Sequence, residues 1–235
     1  IGLLFAVLGF ATWLNGILIP FLKKSCELSD QQSYYVASAF FAAYFVMALP
    51  SSWILQKLGT KKGMTVGLLI MVAGALVFIP AAEARSYGMF LSGLFILGTG
   101  LALLQTACNP YVSVIGPIES AAKRISIMGV CNKVAGIVAN LLFGAVLLKN
   151  ADAIQAQISD ATTSAATKEQ LLNELSNRVV MPYTVLAIVL AIVAVIIYRS
   201  TLPDISTNAS DTGDGDTDLS RGRKSIFQFP HALLG

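Results

Sequence analysis

The chain has 235 residues, of which 55% are hydrophobic and only 12% are Asp, Glu, Lys or Arg, where a soluble domain carries about 25% charged residues. Sixteen basic residues against thirteen acidic ones leave a formal charge of +3, with a mean hydropathy of +0.71. These values exclude an ordinary soluble enzyme and a disordered chain. Three cysteines (Cys26, Cys108, Cys131) and a single histidine (His231) make neither a metal-ligand set nor a disulfide framework. The positive charge forms no stripe, so no nucleic-acid partner is expected.

What remains is an all-α membrane protein. Apolar runs of about 20 residues are long enough to cross a ~30 Å hydrocarbon core. They are continuous rather than alternating, which selects helices over a barrel. Six transmembrane helices are predicted, over 1–22, 33–55, 63–82, 87–115, 125–148 and 180–198. The first has no basic leading segment and is too long for a signal peptide. Between the fifth and sixth, 150–177 reads as an external loop with a short amphipathic helix near 167–175. Residues 199–225 read as a flexible cytoplasmic linker, rich in Ser, Thr, Asp and Gly from 203 onward. Its Asp-rich run lacks the spacing of a calcium loop. The sequence turns apolar again over 226–235, the expected start of a truncated seventh helix. The chain is thus expected to be a piece of a longer protein, with 1–198 as one six-helix bundle. With the chain start placed in the cytoplasm, nine Lys or Arg fall on inside segments and six on outside ones, which is the expected sense of the bias.

Polar residues within spans carry the functional signal, because lipid exposure is costly for them. Thr12 and Asn15 share a face of the first span, and Gln105 and Asn109 share a face of the fourth. Lys133 and Asn140 lie on one stripe of the fifth, with Asn132 beside Lys133. Three such stripes are expected to turn toward a water-filled cavity. Their amides both donate and accept, which suits a neutral polyhydroxylated ligand. The competing reading is interhelical hydrogen bonding that only glues the bundle. Trp13 lies next to the first stripe and is the aromatic selected for stacking on a sugar ring. Trp13, Tyr34, Tyr35, Phe40, Phe41, Tyr44 and Phe45 cluster on the first two spans, and most of them read as lipid-facing or interfacial. No Asp or Glu falls inside a predicted span, so this stretch lacks the usual membrane proton carrier. No catalytic constellation is present, and an enzyme is not expected.

Gly9 to Pro20 (GFATWLNGILIP), Leu104 to Val112 (LQTACNPYV) with Gly116-Pro117 after it, and Lys123-Arg124-Ile125-Ser126 through Asn132 resemble the fucose:proton symporter family of the major facilitator superfamily. Within that family the chain resembles the bacterial glucose/galactose and N-acetylglucosamine transporters, through LNG-x-LIP-F and Ala48 to Leu55. The resemblance implies the N-terminal half of a twelve-helix sugar transporter. It would work by alternating access in the bacterial inner membrane, with its N-terminus cytoplasmic and a C-terminal six-helix half as partner. It implies Asn15, Gln105 and Asn132 as sugar contacts, to which the stripes add Asn109 and Trp13. No cofactor is implied beyond a coupling ion, proton or sodium. Two departures bear on coupling: Gly16 and Gln105 stand where the fucose symporter has carboxylates. Ser52 to Lys61 resembles the superfamily's cytoplasmic gating loop through Lys57, Gly59 and Lys61, with Gln56 in place of the usual Asp and Ser52 in place of the leading Gly. Lys133, about 13 Å along the helix from Arg124 at 1.5 Å per residue, is deep for a snorkelling lysine. It is assigned an electrostatic or coupling role. A facilitator, an organic-anion or drug carrier of the same fold, and a membrane sugar sensor are the rival readings.

Overall fold

The computed structural model describes residues 1–160 and 164–201, without the side chains of Asn15, Asp152 and Ser159. Most of the predicted linker (199–225) and the whole predicted seventh-helix start (226–235) lie outside the described residues. Among those described there are nine α-helices and no strand. They are α1 (Gly2–Ser25), α2 (Asp30–Met47), α3 (Pro50–Leu58), α4 (Thr60–Glu83), α5 (Tyr87–Val114), α6 (Ala121–Leu147), α7 (Ala151–Ser159), α8 (Ala165–Asn177) and α9 (Val180–Arg199). A single 3-10 turn, Ile118–Ser120, leads into α6.

The expected second span, 33–55, is not one helix. It is α2 followed by α3, bent by 56°. Pro50 is the cause: it has no N–H to return to the carbonyl of Val46, and its ring crowds that turn. It becomes the first residue of α3 instead, a position proline favours. With the bent pair counted as one span, six helical segments are long and apolar enough to cross a membrane. The start of α2 is set by a reciprocal cap. Ser29 Oγ accepts from the Gln32 N–H at 3.3 Å, and Gln32 Oε1 accepts from the Ser29 N–H at 3.0 Å. Gly59, at φ 79° and ψ 163°, turns α3 into α4 in a region that side chains disfavour.

The polar stretch 150–177 holds two helices rather than one. α8 covers the predicted segment and is capped by Ser164, whose Oγ accepts from the Thr167 N–H at 3.2 Å. α7 was not expected from the sequence. Leu172 and Leu175 are buried, and Ser176 donates to the Ala82 carbonyl at 3.1 Å. Lys168 pairs with Glu27 at 2.8 Å. The insertion is thereby strapped to the end of α4 and to the α1–α2 turn.

α1 packs along α6, α4 against α5 and α9, and α2 against α5. Lipid offers no hydrophobic drive between helices, so contact rests on close packing of small residues. A Cβ on Gly100 would stand 2.5 Å from the Gly67 carbonyl oxygen, and one on Gly74 2.6 Å from the Leu97 nitrogen. Both distances require glycine. One file of rings ties five helices together: Phe10 against Phe143 (5.6 Å), Phe143 against Tyr183 (5.9 Å), Tyr183 stacked on Phe78 (3.9 Å, 12°), and Phe78 against Phe90 (5.6 Å).

Candidate functional site

The predicted site residues fall on α1 (Trp13, Asn15), α5 (Gln105, Asn109) and α6 (Asn132, Lys133), with Thr12 on α1 and Asn140 on α6 beside them. The α1–α6 seam brings several of them together, and glycines make this possible. A Cβ on Gly9 would stand 2.0 Å from the Asn132 carbonyl oxygen. One on Gly136 would stand 2.4 Å from Trp13 Cδ1. The Trp13 indole therefore lies directly on the α6 backbone. Above it, the Lys133 Nζ sits 4.7 Å from the ring centroid. A cation over the indole face gains about 0.5–1 kcal/mol when exposed and ~2 kcal/mol or more when desolvated. Trp13 keeps 42% of its surface exposed, and Lys133 is exposed beside it.

The amides divide. Asn132 donates from Nδ2 to the Phe5 carbonyl at 3.3 Å, which spends part of its hydrogen-bonding capacity on holding α1 to α6. Asn140 donates to the Gly136 carbonyl at 3.1 Å within its own helix. Thr12 donates to the Leu8 carbonyl at 2.7 Å. Gln105 is half-buried and Asn109 exposed on α5, and among the described residues no hydrogen bond or ring contact joins either to Trp13 or Lys133. The Asn15 side chain lies outside what the structure describes; its backbone is one turn or less from Trp13 on α1. Two grooves, of about 730 Å³ and 390 Å³, are lined by other residues, most of them apolar.

The loop residues are also placed. Lys57 Nζ stands 3.8 Å over the Trp53 ring. Gly59 makes the α3–α4 turn, with its N–H donating to the Leu55 carbonyl at 2.9 Å. Lys61 Nζ donates to the Ser200 carbonyl, fastening the start of α4 to the end of α9.

Arg124 has a structural role that its sequence context did not reveal. Its Nε donates to Val112 O (3.0 Å), its Nη1 to Pro117 O (2.9 Å) and Ser120 Oγ, and its Nη2 to Ser113 O (3.0 Å) and Gly116 O (3.4 Å). One guanidinium thus satisfies carbonyls left open at the end of α5, where the helix has no further N–H groups to offer. The available signal was an Arg in the first turn of a helix that follows a Gly-Pro break.

Comparisons with known proteins give the same picture at the level of the chain. The family model described as Major Facilitator Superfamily matches residues 1–234. The glucose/galactose transporter of Brucella abortus (strain 9-941) is 36% identical over 233 residues, covering 99% of this chain and 51% of that protein. The L-fucose-proton symporter of Escherichia coli (strain K12) is 33% identical over 224 residues, covering 94% of this chain and 50% of the symporter. The crystal structure of the major facilitator transporter FucP in the outward conformation superposes with a TM-score of 0.74 at 32% identity, covering 89% of this chain and 50% of FucP. The chain therefore spans about half the length of the curated relatives it matches. It is a multi-pass membrane protein, and it belongs to the major facilitator superfamily.

Proposed function

We propose that this chain is the N-terminal six-helix half of a sugar transporter that takes up a neutral sugar, such as glucose, galactose or N-acetylglucosamine, across a bacterial inner membrane. Residues 1–198 form the bundle, 199–225 the cytoplasmic linker, and 226–235 begin the second half. The N-terminus is cytoplasmic. Transport proceeds by rocking of the two halves about a site between them. The sugar contacts are Asn15, Gln105, Asn109 and Asn132, with Trp13 stacking on the ring. Lys57, Gly59 and Lys61 serve the cytoplasmic gate.

The observation that carries this reading is the exposed Trp13–Lys133 pair on a seam where Asn132 also lies. An indole and an ammonium left uncovered on a membrane-spanning surface need a polar neighbour, and a sugar or the second half supplies one. The similarity to glucose/galactose and L-fucose-proton transporters supports the sugar. The symporter among these relatives uses a proton, which favours proton over sodium coupling. The spans predicted from the sequence hold no Asp or Glu, so we assign the proton to Lys133 or to a group of the second half.

The test is labelled-sugar uptake by the full-length protein in vesicles with an imposed proton gradient. Accumulation of one of the three sugars is expected. Equilibration without accumulation would make the protein a facilitator, and the absence of any sugar uptake would overturn the reading. Lys133 also fits a direct ligand for an organic anion, and competition of sugar uptake by such anions reports it.

A further inference from the structure

We propose that the groove between the start of α4 and the end of α9 binds one acyl chain of an anionic phospholipid, with Lys62 holding the phosphate. The exposed side chains of α9 from Met181 to Ile196 include Val185, Ile188, Val189, Ile192 and Val195, all apolar. A helix face of this kind contacts hydrocarbon, unlike the face of α6 that carries Lys133. Where α9 ends beside α4 there is a groove of about 390 Å³. Leu58, Val66 and Leu69 line one side, Ala194 and Val195 the other, and Lys62 and Tyr198 add the polar groups. Thr65 also lines it but donates its hydroxyl to the Lys61 carbonyl at 3.1 Å, so its polar group is already satisfied.

Depth along the groove orders these groups. Lys61 fastens to Ser200, so the start of α4 and the end of α9 lie side by side. Lys62 and Tyr198 are therefore at the membrane-surface end. Leu69 lies seven residues further in, or about 10 Å at 1.5 Å per residue. A tyrosine at the interface and a cation beside it, above an apolar slot, match a lipid in which the headgroup sits over its chain. Charge complementarity selects the anionic class. Lys57, Lys61, Lys62 and Arg199 gather at this end, while 50–70 and 180–201 contain no acidic residue. The larger groove, of about 730 Å³ between α1, α6 and α9, has no charged lining residue and so nothing that chooses a headgroup.

The experiment is native mass spectrometry of the full-length protein titrated with phosphatidylglycerol and, separately, with phosphatidylcholine of the same chains. The unaltered protein is expected to prefer phosphatidylglycerol. One basic residue near the surface contributes enough that Lys62→Gln should weaken phosphatidylglycerol roughly five-fold and leave phosphatidylcholine unchanged. Lys62→Arg should retain the preference. Val195→Trp, which fills the slot, should weaken both lipids. If Val195→Trp fails to fold, the Lys62 series decides alone. Retention of the full preference in Lys62→Gln would overturn the proposal. So would an equal loss in Lys123→Gln, which would assign the effect to diffuse surface charge. The readout is independent of whether the protein moves sugar.

Discussion

At the α4–α5 seam, glycine meets backbone on both sides: Gly100 lies against Gly67 and Met71, and Gly74 against Leu97 and Gly93. At the α1–α6 seam, Gly9 lies against Asn132 and Gly136 against the Trp13 ring. The two joints obey one packing rule and finish differently. At the first, the contacting neighbours are glycine backbone and apolar side chains, and 56% of the most apolar stretch of α5 is buried. At the second, only 22% of the most apolar stretch of α6 is buried, and an amide, an indole and an ammonium lie at its edge. Close packing alone therefore does not mark a functional seam. A functional seam is one where the cost of exposing polar groups to lipid has not been removed within the half, so that another surface must cover them.

The largest effect is expected at the α4–α5 joint. Gly100→Ala places a methyl group 2.5 Å from the Gly67 carbonyl oxygen, and 2.7 Å from atoms of Met71. Backbone on both sides cannot yield, so about 3 kcal/mol or more of stability should be lost. Thermal unfolding in detergent measures it. Gly129→Ala, where a Cβ meets nothing within 4 Å, is the control and should change stability by no more than about 1 kcal/mol. Equal tolerance of both would show that the α4–α5 contact is looser than its geometry.

The open joint should answer in the opposite way. Lys133→Met removes a charge that contacts the Trp13 ring and no carboxylate of the described spans. Uptake by the full-length protein should fall about ten-fold, equivalent to ~1.4 kcal/mol, while the melting temperature stays unchanged or rises. Loss of folding with no separate loss of transport would place Lys133 among the structural residues and dissolve the contrast between the seams.

The six crossings were legible in the sequence because bilayer thickness converts directly into the length of an apolar run. The break between α2 and α3 was missed for a physical reason. Hydropathy counts side chains, whereas Pro50 acts by removing a backbone hydrogen bond. The stripes on α1, α5 and α6 were legible from helical period, which places residues on a face. Period does not say which helix lies opposite. The meeting of Trp13 with Lys133 depended on Gly9 and Gly136 admitting close approach, while Gln105 and Asn109 remained apart from them. Arg124 was illegible as a cap because its partners are backbone carbonyls gathered from 112 to 117 by the turn itself.

That cap gives a test of intermediate size. Arg124→Lys keeps the charge and loses the fork that reaches several carbonyls at once. It should cost about 1–2 kcal/mol in detergent stability, since several charged hydrogen bonds collapse to one or two. A neutral outcome would mean that the end of α5 is satisfied by water at the membrane surface.

The smallest effect is expected at the strap. Lys168 and Glu27 join α8 to the α1–α2 turn at 2.8 Å, but their side chains are 42% and 44% exposed. An ion pair in that setting gains little over hydrated charges and is screened by salt. Lys168→Gln should therefore cost no more than about 0.5 kcal/mol, and the difference should vanish near 1 M salt, where the Debye length is ~3 Å. Ser176→Ala is the counterpart on the same helix. Ser176 is fully buried and donates to the Ala82 carbonyl at 3.1 Å. Its removal leaves that carbonyl one donor short, at a cost of about 1 kcal/mol that salt does not touch. If the order were reversed, with Lys168→Gln the more damaging and its effect persisting in salt, the insertion would be held electrostatically from outside. It would then release under conditions that leave both glycine seams intact.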